Sequence, residues 1–80
     1  MDYNTIKTNT YRDILKTDGS FDAKKVLIRA FLNSPDDFTK AEIKELAADV
    51  LNEALNNGMV NEVEDGIYES LFSHDIMHKM

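Results

Sequence analysis

The chain has 80 residues, no cysteine and a formal net charge of -6. That length holds one domain, residues 1–80, which buries only about 60% of its unfolded surface. Without cysteine there is no disulfide framework and no thiolate metal site, and no apolar run is long enough to span a bilayer, so the expectation is a cytoplasmic protein with no membrane insertion.

Met1-Asp2-Tyr3-Asn4 carries neither the basic nor the apolar part of a signal peptide, and the chain reads as a complete small protein. Its charge is unevenly spread. Residues 1–40 hold six acids and seven bases, a net of +1, whereas residues 41–80 hold nine acids and two bases, a net of -7. The acidic half should repel nucleic acid and anionic lipid and attract basic surfaces.

The first expected element is a helix over about 5–16, where Tyr11, Ile14 and Leu15 share a face and Ile6 aligns more loosely. Thr17-Asp18-Gly19-Ser20 then marks a loop. Asp18 to Asp22 faintly resembles a calcium loop, but it lacks the alternating ligands and the closing glutamate. It reads as a turn followed by a helix cap.

Asp22 is a good N-cap for a second helix over 22–33. The run Val26-Leu27-Ile28-Arg29-Ala30-Phe31-Leu32 is apolar nearly all round the helix. Val26, Leu27, Ala30 and Phe31 form one arc, and Phe21, Ile28 and Leu32 extend it. Such a helix is normally buried on most sides. It is expected either at the centre of the domain or covered on its second face by another copy of the chain.

Asn33-Ser34-Pro35-Asp36-Asp37 is a loop, and Phe38 reads as a hydrophobic staple toward Ile43. Thr39 and Glu42 make a capping box for a third helix over 40–57. Its apolar period runs through Ile43, Leu46, Ala47, Val50, Leu51, Ala54 and Leu55, and Asn57-Gly58 stops it. Glu42, Glu45, Asp49 and Glu53 line the opposite side. Like charges at i, i+4 cost a helix a few tenths of a kcal/mol each. The stripe therefore invites a reading as a docking surface for a protein with a basic surface, against the alternative of a solvated face. On sequence alone, Asp49→Lys should leave folding intact or slightly improved.

The last segment has two readings. One is a fourth helix over 67–78, favoured by Ile67, Tyr68, Leu71, Phe72 and Ile76. The other is a hairpin over 59–72 turning at Glu64-Asp65-Gly66. The fold expected is thus mainly α, a small bundle of three to four helices, with an α+β winged-helix-like arrangement as the alternative. Gly58-Met59-Val60 followed by Gly66-Ile67-Tyr68 resembles the wing of bacterial winged-helix regulators over residues 39–72. That resemblance implies DNA binding. The segment departs from the family where the apolar period crosses 43–55 without a turn, and where residues 48–57 carry Asp49 and Glu53 but no base. Phosphate contacts need Lys or Arg. In size and acidity the chain also resembles the small phage proteins that inhibit or retune host machinery, on composition alone.

No catalytic motif is present. The carboxylates share one solvated face rather than two distinct environments, and no serine or histidine has a nucleophile's context. His74 and His78 have the i, i+4 spacing of metal ligands, but the chain-end setting favours an exposed tail. No cofactor, metal or enzyme activity is expected. The main expectation is a non-enzymatic regulator or inhibitor acting by protein–protein binding. It would use either the acidic stripe, as a nucleic-acid mimic, or an apolar interface of Ile28, Leu32, Tyr68, Phe72 and Ile76. A DNA-binding regulator using Lys7, Arg12, Lys16, Lys24, Lys25 and Arg29 on phosphates is the first alternative. A self-assembling homo-oligomeric element is the second.

Overall fold

The computed structural model describes residues 2–72. Helix α1 (Tyr3–Leu15), strand β1 (Ser20–Asp22), helices α2 (Ala23–Asn33) and α3 (Lys40–Asn56), and strands β2 (Val60–Glu64) and β3 (Ile67–Ser70) follow in order. The strands form one antiparallel sheet in the order β1-β3-β2. The domain is therefore α+β, and the expectation of a purely helical bundle is corrected.

The helices start where local chemistry says they should. Asp2 caps α1 by accepting from the Thr5 amide at 2.8 Å, and Asp22 caps α2 by accepting from the Lys25 amide at 3.0 Å. The Thr39–Glu42 capping box closes in both directions, at 2.8 and 3.1 Å. Each cap satisfies amide donors that have no partner inside the helix. Phe38 is half-buried against the core and shares a hollow with Ile43, as a staple would.

The expected fourth helix over 67–78 is overturned as far as Ser70. Ile67–Ser70 is instead the central strand, hydrogen-bonded to β1 on one side and β2 on the other. A helix there would leave the backbones of both neighbours unpaired. Gly66 turns the hairpin at φ +78°, which a residue with a β-carbon rarely adopts, and the ladder slips between Glu62 and Glu64 as a bulge. The hairpin alternative is the observed one. Leu71 and Phe72, which follow the strand, are helical, and the rest of the proposed helix, residues 73–78 with Ile76, His74 and His78, lies outside the described residues. Strand β1 is a second departure, because Asp18–Asp22 was read as turn and cap. Phe21 pairs with Tyr68 across the sheet, their rings 6.0 Å apart.

The core is centred on α3, which buries Ile43, Leu46, Ala47, Val50, Leu51 and Ala54. Ile6 and Ile14 come from α1, Val26 and Ala30 from α2, Phe21 from β1 and Val60 from β2. Two buried polar side chains are satisfied. Thr10 Oγ1 donates to the Ile6 carbonyl at 2.9 Å and accepts from Asn33 Nδ2 at 3.1 Å, which ties α1 to α2. Ser70 Oγ donates to the Leu15 carbonyl at 2.7 Å, which fastens β3 to the end of α1. No helix of the described residues is long and apolar enough to cross a membrane.

Candidate functional site

The acidic stripe of α3 faces α1, and much of it is used within the chain. Glu42 is held in the capping box. The Tyr3 hydroxyl donates to Asp49 Oδ2 at 2.6 Å. Lys7 forms an ion pair with Glu53. Glu45 stays exposed. Stacking Asp49 and Glu53 is thereby explained: one turn apart, they receive Tyr3 and Lys7, themselves one turn apart on α1. The like-charge cost within α3 is offset by an inter-helix hydrogen bond and an ion pair.

This geometry raises the Tyr3 phenol to about 12. Partial burial is the first cause, then the hydrogen bond to Asp49 and the nearby charges of Asp49, Glu45 and Glu53. Asp49→Lys now has the opposite expectation from the sequence reading. It should lower stability by about 1 kcal/mol, because it deletes the acceptor of the Tyr3 hydroxyl. The native chain should lose stability as pH rises from 10 toward 12. In that window the unfolded tyrosine ionises while the folded one keeps its proton, and below pH 10 the contribution is complete. Tyr3→Phe should lack this alkaline limb. Urea unfolding at pH 9 and pH 11 checks both variants, and parallel pH dependence in native and Tyr3→Phe chains would refute the assignment.

The apolar candidates divide. Ile28 is 48% exposed and Leu32 63% exposed, as an interface would need. Phe31, placed with the core arc in the sequence reading, joins them at 62%. Helix α2 buries only Val26 and Ala30 fully. The expectation of a central helix is thus replaced by a peripheral one with an open apolar face. Tyr68 is half-buried against Phe21 in the sheet, and Phe72 is 46% exposed at the edge of the described residues.

Two adjoining hollows organise the α2 face. A groove of about 280 Å³ between α2 and the start of α3 is lined by Leu27, Ile28, Phe31, Lys40, Ile43 and Lys44. The second hollow, of similar size, shares Phe31 and Ile43 and continues to Leu32, Pro35 and Phe38. Phe31 and Ile43 therefore stand at the junction of both. A larger basin of about 480 Å³ lies along α1, between Lys7, Arg12 and Glu53. It holds no nucleophile beside a base. Among the described residues, no three His, Asp or Glu side chains converge as metal ligands.

Comparison with known protein families, curated proteins and solved structures finds no match.

Proposed function

We propose that this chain is a non-enzymatic regulator that acts by binding another protein through the open face of α2. The observation that carries this reading is the contiguous exposure of Ile28, Phe31 and Leu32 beside an apolar groove and a second, mixed hollow. An isolated exposed leucine means little, but a clustered apolar face on a domain this small marks an interaction surface. A cytoplasmic setting fits the absence of cysteine. The acidic stripe is a weaker docking candidate for a basic partner, because Glu42, Asp49 and Glu53 already have partners in the chain.

A second reading has its own support. The element order α1-β1-α2-α3-β2-β3 with sheet order β1-β3-β2 is winged-helix-like. Helices α2 and α3 then stand as the helix-turn-helix, and the hairpin as the wing. Asp49 and Glu53 face α1, so the outward side of α3 presents Lys44, Ala48 and Asn52. DNA binding has this in its favour. Against it stand the acids of the hairpin, Glu62, Glu64 and Asp65, where a wing would meet phosphate, and Lys7, which is paired with Glu53.

The test is a pull-down from a lysate of the source cells, with the native chain and Leu32→Ser side by side. One stoichiometric protein held by the native chain and lost from the variant is the expected result. The same proteins on both baits, or none on either, would end this reading. Salt-sensitive retention of duplex DNA without a protein would establish the second.

A further inference from the structure

The charges around the α2–α3 groove are of one sign, although the chain as a whole is acidic. The groove's walls are Leu27, Ile28, Phe31 and Ile43, and its charged rim is Lys40 and Lys44. Among the described residues, no carboxylate of the chain holds either ammonium. Helix α2 adds Lys24, Lys25 and Arg29, all exposed, and contains no acid. Of the nearby described carboxylates, Asp22 and Glu42 are held in helix caps and Asp36 lines the adjoining hollow; Asp49 and Glu53 face α1, and Glu62, Glu64 and Asp65 lie on the hairpin.

We propose that this groove receives an acidic amphipathic segment of the partner protein, with apolar side chains in the groove and carboxylates on Lys40 and Lys44. This inference rests on the protein-docking reading and adds the partner's chemistry to it. Leu27 and Phe31 are one helical turn apart, so the groove matches two apolar anchors spaced at i, i+3 or i+4 on an incoming helix. The lysine rim then sets orientation and speeds encounter, and the affinity falls with salt. A second copy of the chain fits less well through α2. A two-fold α2–α2 contact would bring Lys24, Lys25 and Arg29 against the same residues of the other copy. Duplex DNA would find basic groups at the rim but an apolar floor between them.

The test is selection of a displayed random-peptide library on the immobilised full chain. The winning peptides are then labelled and titrated by fluorescence anisotropy. The expected winners carry two apolar residues one helical turn apart among Asp and Glu. Their affinity should fall roughly tenfold or more for the double variant Lys40→Glu/Lys44→Glu, with a smaller loss for Lys40→Gln/Lys44→Gln. Both lysines are exposed, and Lys40 lies in the first turn of α3, where an acid favours the helix, so the reversal is expected to leave folding intact, which circular dichroism checks. Basic winners that lose binding in Phe31→Ala would overturn the acidic partner while leaving protein docking in place. Acidic winners indifferent to the charge reversal would also overturn it. Concentration-dependent self-association lost in Val63→Ser would assign the groove to the hairpin of a second copy and refute the proposal. DNA retention abolished by the same charge reversal, without peptide winners, would refute it too. No peptide winners together with an empty pull-down would end both readings.

Discussion

Leu46→Ala is expected to lower the free energy of unfolding by about 3 kcal/mol. Leu46 is fully buried at the middle of α3, the helix that packs against α1, α2 and β2. Truncation removes the transfer energy of its side chain and leaves a cavity that only partly collapses. Helix propensity offsets almost none of this, since leucine is already a good helix former. Small domains have total stabilities of about 5–15 kcal/mol, and this one lacks disulfides to make up a deficit. The variant should therefore unfold at a markedly lower urea concentration with an unchanged slope. A loss under about 1 kcal/mol would contradict the placement of α3 at the centre of the core.

The second large effect separates binding from folding. Phe31→Ala should weaken partner binding about 100-fold, as for an aromatic anchor at the centre of an interface, while thermal stability is unchanged or slightly raised. Phe31 is 62% exposed, so truncation removes little buried area. It lies in the last turn of α2, where alanine is at least as good a helix former as phenylalanine. It lines both hollows, as Ile43 does, but Ile43 is buried and Phe31 is open to a partner. Titration calorimetry with the captured partner, set beside thermal melts of the same preparations, measures the two effects independently. A variant that binds as tightly as the native chain would remove the α2 face as the docking site. A variant that fails to fold would show that Phe31 belongs to the core after all.

The helices were legible because their signals are local. Asp2 was not anticipated as a cap, yet α1 begins within two residues of its expected start. Asp22, Thr39 and Glu42 act as the sequence implied, and the period from Ile43 to Ala54 gave the longest helix. The C-terminal segment misled because Ile67, Tyr68, Leu71 and Phe72 suit a helical spacing as well as a strand. The choice was made by β1, a three-residue strand 45 or more positions upstream whose only long-range cue was Phe21. A strand that short has no periodicity of its own to read.

The candidate site was half legible. Ile28 and Leu32 stood out because α2 has more apolar residues than one buried face can use. Phe31 was missed because six of the seven residues 26–32 are apolar, and a helical wheel cannot say which arc meets the core. The acidic stripe was legible as a pattern but not in purpose, since Tyr3 and Lys7 lie 46 residues from Asp49 and Glu53.

By itself, then, the sequence determined where the helices begin and end, which side of α3 is apolar, and that the charge is split between the halves. These follow from hydrogen bonds and side-chain spacings within a few residues. Only the tertiary structure decided that residues 67–70 are a central strand, that Asp49 and Glu53 serve α1, and that Phe31 faces outward. Each of those outcomes depends on a partner far along the chain, and no local energy term distinguishes the alternatives until that partner is in place.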